Sequence, residues 1–425
     1  MTQTSNDDRK ELFMPSDHVP AVLLRGPSAG QEATRARAEM VARLETAGDL
    51  RPGPVRDALL ALPREELMPQ AYVRRSKPEE SPPRWDLLDW AVPADREELL
   101  GVLYGGESVL VQHDGEPILG RVPGPRSGGA ITSMSSTVGM TADLLEELGL
   151  RPGQRVLDIG TGAGVTAAVA CRICGDTDVV TVDRDPHVTA SAGHHLEALG
   201  HVPMVITGDG SDGWPGRAPY ERIFVSYAVP RVARAWVEQL APGGRLLVTV
   251  TGVSPSWPGL AVVTRTPGGG VQGELRAVEF GHRPGHGFDR IFLSRAFLDR
   301  IAAETGTTSV SHQAPPADEQ RGMWLALEHL RPGLVRNWGA GHLMVGAPGC
   351  GSWMTARPDG HGSWIVTTNG PRHIWNEIQQ VAAQWRAAGA PASYRLHIDA
   401  DGHQWVSAGS RTAELSWPLP SSPTP

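Results

Sequence analysis

The run Val156-Leu157-Asp158-Ile159-Gly160-Thr161-Gly162-Ala163-Gly164 carries an apolar strand into a glycine-rich turn, and Val165-Thr166-Ala167-Ala168-Val169-Ala170 continues it as a helix. Glycine lets the backbone turn sharply and approach a ligand closely, and a helix start offers N–H groups without intrahelical partners. The spacing narrows the ligand. A dinucleotide fingerprint reads G-x-G-x-x-G, whereas Gly160, Gly162 and Gly164 alternate here and the acid Asp158 precedes them. A carboxylate at that point repels a pyrophosphate but suits the cationic methionine end of S-adenosyl-L-methionine. The pattern points to a methyl donor.

The elements that must position this turn follow from the pattern around it. Strands are expected at 155–159, 179–182, 203–207, 222–226 and 245–249, with helices at 165–174, 187–199 and 233–240 between them. Such alternation implies an α/β architecture with a parallel, doubly wound sheet. Ligands in these sheets bind beyond the carboxyl ends of the strands. The first strand ends in Asp158 and the glycine turn. The second ends at Asp183, whose carboxylate can accept hydrogen bonds from both hydroxyls of a ribose. The third ends in Gly208-Asp209-Gly210, where a side chain and neighbouring N–H can read adenine. The fourth ends in Ser226-Tyr227-Ala228-Val229-Pro230, a wall for a methyl-transfer cleft. Asp158, Gly160, Thr161, Gly162, Gly164, Asp183, Asp209, Gly210 and Ser226 are therefore the cofactor-binding candidates. An isolated Asp at a strand end is more often a turn cap, and for Asp185 that reading prevails.

At 425 residues the chain is long enough for two or three domains. A charged fraction of 20%, a hydrophobic fraction of 40% and a net charge of −8 describe a globular protein without the clustered cations that a nucleic-acid surface needs. No apolar run reaches membrane-spanning length and the start of the chain lacks an apolar signal core, so the expectation is a cytoplasmic protein. Cys171, Cys174 and Cys350 are too few for a disulfide framework. Cys171 and Cys174 sit inside a helix, where packing is favoured over redox or zinc chemistry, and no metal site is expected. His282 and His286 read as loop histidines. The expected organisation is a flexible tail (1–30), N-terminal helices plus a loop-rich insert (31–130), the cofactor-binding domain (131–305), a small C-terminal α+β module (331–417) and a disordered tail (418–425). Trp338, Trp353, Trp364, Trp375, Trp385 and Trp405 crowd that module. Core packing is their default, with peptide contact as the functional alternative.

Several segments resemble the protein-L-isoaspartate O-methyltransferase family. Pro63-Arg64-Glu65-Glu66-Leu67-Met68-Pro69 is similar to its Pro-Arg-x-x-Phe-x-Pro signature, and Ile131-Thr132-Ser133-Met134-Ser135-Ser136 lies where it carries an Ile-Ser-x-Pro-His active-site segment. Gly208-Asp209-Gly210, Pro219-Tyr220-Glu221-Arg222-Ile223 and Leu240-Ala241-Pro242-Gly243-Gly244-Arg245-Leu246 resemble later blocks of the family. The resemblance covers residues 33–252. It implies a Rossmann-like class I methyltransferase sheet, to which the N-terminal helical region and the small C-terminal α+β module read from the pattern are joined. Aligned on Ile131, the family serine falls at Thr132 with Met134-Ser135 in place of Pro-His. Counted back from the helix ending at Leu148, it falls at Ser136 with Val138-Gly139 there instead. The second register is preferred because a short connection ties that helix to the first strand. The Pro-His is missing in both. The long insert after Pro69 and the C-terminal extension are similar to the long isoaspartate-methyltransferase-like enzymes of lanthipeptide, graspetide and lasso-peptide gene clusters. That likeness implies a modified precursor peptide as partner and methylation of one of its Asp side chains, leading to aspartimide or isoaspartate.

The chemistry asks little of the side chains. A carboxylate is ionised at pH 7, so methyl transfer to it needs no general base; positioning and desolvation of one oxygen suffice. Ser136, with Ser133 or Ser135, could hold the acceptor carboxylate by hydrogen bonds, against the alternative that one of them caps the following helix. Three readings follow: a methyltransferase dedicated to a ribosomal peptide, a general isoaspartate repair methyltransferase, and a non-catalytic cofactor-binding peptide scaffold.

Overall fold

The computed structural model describes residues 28–77, 80–253, 256–278, 294–339, 342–411 and 413–421. Most of the expected N-terminal tail, His282 and His286, and the last four residues lie outside the described residues.

Helix α1 (Ala29–Ala47) opens the fold, with Ser28 and Gln31 capping each other's backbone N–H groups. Helices α2 (Pro54–Ala61) and α3 (Arg64–Leu67) follow and pack their apolar faces into one core with α1. The stretch expected to be a loop-rich insert is instead organised by a sheet. Strands β1 (Gln70–Arg74) and β2 (Arg84–Asp89), helix α4 (Arg96–Tyr104), and strands β3 (Val109–His113), β4 (Gly124–Ser127) and β5 (Ile131–Ser135) lie along it. The five strands are antiparallel in the order β4-β2-β1-β3-β5. The prolines and glycines that suggested loops occupy the connections and the edge strand β4, where a missing N–H is tolerated.

The next block is the doubly wound unit: α5 (Val138–Leu148), β6 (Val156–Ile159), α6 (Val165–Cys174), β7 (Val179–Asp183), α7 (Pro186–Ala198), β8 (Met204–Thr207), β9 (Tyr220–Val229), α8 (Arg234–Glu238) and β10 (Leu240–Val250). Its strands run parallel in the order β8-β7-β6-β9-β10. The order reverses direction between β6 and β9, and a crevice opens at that switch point. Helix α6, built from Ala, Val, Ile and Cys, is buried nearly along its whole length, Cys171 and Cys174 included. All-round apolarity marks such a helix as covered on every side.

The remainder completes the sheet. Strands β11 (Gly259–Arg265) and β12 (Val271–Ala277) add antiparallel to β10. Then come α9 (Arg295–Ala303), β13 (Thr307–Ser311), α10 (Arg321–Leu330), β14 (Val335–Gly339), β15 (His342–Ala347), β16 (Ser352–Pro358), β17 (Trp364–Asn369), α11 (Ile374–Ala387), β18 (Ser393–Ile398), β19 (Gln404–Ser410) and β20 (Ala413–Pro418). Strands β13–β17 form their own five-stranded sheet, whereas β18 pairs with β12 and brings β19 and β20 into a ten-stranded sheet with the parallel unit. Residues 331–417, expected as a separate module, thus share a sheet and a core with the cofactor-binding unit. The link is α10: Met323, Trp324, Leu325, Ala326 and Leu327 are buried in one cluster with Leu157 and Val225 on one side and Leu396, Val406 and Trp417 on the other. Trp353 and Trp385 are buried, in keeping with core packing, while Trp405 remains partly exposed and stacks on His397. The expected terminal disorder does not begin at Pro418, which ends β20, and Leu419 is buried. Among the described residues no helix is long and apolar enough to cross a membrane.

Candidate active site

A cleft of about 960 Å³ lies beyond the carboxyl ends of β6, β7, β8 and β9. Its floor is the glycine turn. Gly160 and Gly162 have φ of +94° and +51°, in the left-handed region that L side chains avoid. A Cβ on Gly160 would lie 3.1 Å from the Tyr227 ring, and one on Gly162 would lie 3.2 Å from the Met134 carbonyl oxygen. The turn is held from β7, because the Gly160 N–H donates to the Val182 carbonyl (2.8 Å) and the Gly162 N–H donates to the Asp183 carboxylate (3.2 Å).

The expected cofactor residues separate into two groups. Gly160, Thr161, Gly162, Asp183, Asp209, Gly210 and Ser226 all line the cleft. Asp183 accepts from the amides of Gly162 and, at 3.1 Å, of Asp185; burial nevertheless holds its carboxyl above the usual carboxylate range. Asp209 accepts from the Ser211 amide (2.9 Å), and the Gly210 carbonyl accepts from the Trp236 indole (2.7 Å), which pins the third strand end. Asp185 caps α7 by accepting from the His187 amide (2.8 Å), so the turn reading made from the sequence describes its geometry.

Asp158 and Gly164 do not reach the cleft wall. Alternation along β6 sends Leu157 and Ile159 into the core shared with α10, and Val156 and Asp158 toward the opposite face, which α5 and α6 cover. Asp158 is fully buried; its Oδ2 accepts from the Thr181 hydroxyl (2.7 Å), and Thr181 meets the Thr161 hydroxyl at 2.7 Å. Burial raises the Asp158 carboxyl to about 7, opposed by the Thr181 hydrogen bond and assisted by the nearby Asp183. In the structure the acid supports the turn from beneath rather than facing the cleft. Gly164 is the N-cap of α6 and packs toward Leu196.

Strand β5 lines the cleft beside the turn with Ser133, Met134 and Ser135, and Ser136 follows on the same wall. None of these serines is the N-cap of α5: that residue is Thr137, whose side chain makes no cap hydrogen bond. Helix α5 ends at Leu148, the residue from which the second register is counted. The far wall comprises Tyr227, Ala228 and Val229 at the end of β9, Pro230 and Arg231 just after it, and Arg234 and Trp236 from α8. Met140 and Arg231 had no motif to mark them; Met140 reaches the cleft from the first turn of α5 and Arg231 from the turn after β9.

The insert touches the cofactor side directly, because the Gln112 side chain donates to Asp185 (2.9 Å) and accepts from the Thr132 hydroxyl (2.7 Å). Among the described residues, two groups bring three potential metal ligands together: Cys171, Asp176 and His201, and the exposed Asp399, Asp401 and His403. Neither lines the cleft.

Comparison with known proteins places this geometry. A family model described as protein-L-isoaspartate(D-aspartate) O-methyltransferase matches residues 126–265. The chain is 41% identical over 152 residues to a protein-L-isoaspartate O-methyltransferase of Thermococcus onnurineus, an alignment covering 35% of this chain and 67% of the relative. It is 30% identical over 219 residues to that of Methanopyrus kandleri, covering 51% of this chain and 77% of the relative. A solved structure described as a protein-L-isoaspartate O-methyltransferase aligns with 88% of this chain and 100% of its own, at a TM-score of 0.49 and 21% identity.

Proposed function

This chain belongs to the protein-L-isoaspartate O-methyltransferase family, and from that premise we propose that it esterifies an isoaspartyl carboxylate presented by a protein or peptide. The cofactor is S-adenosyl-L-methionine, and the residues present fit it. The cradle at Gly160 and Gly162 is one that a Cβ would fill, Asp183 offers a half-buried carboxylate to a ribose, and about 960 Å³ accommodates a ligand of this size. When bound, it supplies a methyl group on a sulfonium, which an ionised carboxylate oxygen can take without a general base.

The observation that carries the reading is the juxtaposition of the turn with β5: the Met134 carbonyl would lie 3.2 Å from a Cβ on Gly162, so the serine-bearing strand abuts the cofactor floor and both line one cleft. On this reading Gly160, Thr161, Gly162, Asp183, Asp209, Gly210 and Ser226 hold the cofactor. Ser136, assisted by Ser133 and Ser135, orients the acceptor carboxylate. These serines position an oxygen and exclude water; they move no proton. Esterification gives the carboxyl carbon a methoxide leaving group in place of an oxide, so a neighbouring backbone amide nitrogen can attack that carbon and close onto it with loss of methanol.

A second reading, a single constrained ribosomal peptide methylated at Asp, is favoured by the absent Pro-His and by the insert sheet that forms the cleft wall through β5. Turnover of two unrelated isoaspartyl peptides, each beside its aspartyl counterpart, separates the two. Comparable methylation of both isoaspartyl sequences supports the general acceptor. Methylation confined to one constrained aspartyl peptide sinks it in favour of the dedicated enzyme.

A further inference from the structure

The turn between β9 and α8, residues 230–233, forms part of the cleft wall yet lies outside any strand or helix. Its backbone polar groups therefore need partners from elsewhere. They come from the far end of the chain. The Val232 N–H donates to the Gln404 side-chain oxygen (3.0 Å), and the Gln404 amide donates back to the Val232 carbonyl (2.7 Å). Val232 and Gln404 are both buried, at 0% and 4% exposure, so neither bond exchanges freely with water.

The neighbouring Arg231 guanidinium donates to the carbonyls of Gly402, Pro420 (3.2 Å) and Ser421 (2.5 Å). Gln404 is itself tied to that terminal segment, because its carbonyl accepts from the Leu419 amide (2.9 Å). One short turn is thus gripped on two consecutive residues by β19, the loop before it and the end of the chain.

We infer that the C-terminal strands build the acceptor-side wall of the cleft, with Gln404 as the positioning residue that sets Pro230 and Arg231 against the peptide acceptor. This rests on the methyltransferase reading given above and assigns the extension a part in substrate positioning. The cofactor-side residues, Gly160, Gly162, Asp183 and Asp209, make no hydrogen bond to Gln404, whose side chain bonds only the Val232 backbone among the described residues. The consequence is selective. Loosening the clamp should disturb the acceptor and spare the cofactor.

The test is Gln404→Leu in the full-length protein, which keeps bulk and removes both bonds, with Gln404→Asn as a milder variant that retains a shorter amide. Three readouts are taken: affinity for S-adenosyl-L-methionine by calorimetry, KM and kcat for an isoaspartyl hexapeptide, and hydrogen exchange of amides 229–234. The expected result is cofactor affinity within twofold of wild type, peptide KM raised on the order of tenfold, and faster exchange confined to that turn. Gln404→Asn falls between. Unchanged peptide KM despite faster exchange overturns the inference, as does parallel loss of cofactor and peptide binding, which marks a general structural anchor. Failure of the wild-type protein to methylate any peptide refutes the functional reading instead, and is seen before the variant is compared.

Discussion

Replacing Asp158 by Asn should change how stability depends on pH, and the size of the change follows from the surroundings of that carboxyl. It is fully buried on β6, its Oδ1 has no hydrogen-bonding partner among the described residues, and burial raises it from 3.8 to about 7. Below pH 4 both folded and unfolded chains keep the proton. As pH rises from there, the unfolded chain releases it while the folded chain retains it, so stability falls until about pH 7 and the loss then levels off. A shift of about three units at roughly 1.4 kcal/mol each gives a loss of about 4 kcal/mol. The substituted amide imitates the protonated carboxyl in shape, keeps an acceptor for Thr181 and carries no titrating proton. The assay is urea unfolding of both proteins at half-unit steps from pH 4 to 8.5, with the stability difference plotted against pH. The variant should gain on wild type by about 4 kcal/mol across that window, all of it between pH 4 and 7.5. A difference that stays flat would rule this out, because it would mean that the buried carboxylate ionises as readily in the fold as in the open chain.

The other predictions concern the cleft. Asp183→Asn removes the charged acceptor assigned to the ribose hydroxyls, and calorimetry should show affinity for S-adenosyl-L-methionine falling by about 3 kcal/mol, roughly a hundredfold. Ser136→Ala should lower kcat/KM for an isoaspartyl peptide by about tenfold, in line with one lost hydrogen bond to a carboxylate, and leave cofactor affinity unchanged. Equal losses from Ser133→Ala or Ser135→Ala would move the assignment to those neighbours.

The doubly wound unit was legible because each of its signals is local. Helix α6 is a largely apolar run that ends at Cys174 before Gly175, β6 precedes a glycine turn, and α7 starts at a proline behind a capping Asp. Strand ends then located Asp183, Asp209 and Ser226 on the cleft. Asp158 was harder. Its position beside the turn suggested contact with a ligand, but side-chain direction on a four-residue strand is decided by which face the helices cover, a tertiary fact. Of the insert sheet only β3, a short β-rich run at 108–112, is legible in the sequence, for a related reason. Strands β2 and β4 are short and bounded by proline, and they are stable only through cross-strand pairing with β1 and with each other. The same holds for β18: nothing in Ser393–Ile398 announces that its partner is β12 rather than a strand of its own module. The clamp of Gln404 on Val232 spans 172 positions and leaves no spacing to read.

Passage of a methyl group from S-adenosyl-L-methionine to a carboxylate held at the serine wall can be observed directly. The purified protein is incubated with methyl-labelled cofactor and an isoaspartyl peptide, the product is exposed to mild base, and volatile label is collected. The label should leave as methanol, because a carboxyl methyl ester is base-labile, and the aspartyl peptide of the same sequence should acquire little. Label that stays on the peptide through base treatment, or a protein that binds the cofactor yet labels no peptide, would show that no carboxyl ester is formed at this cleft.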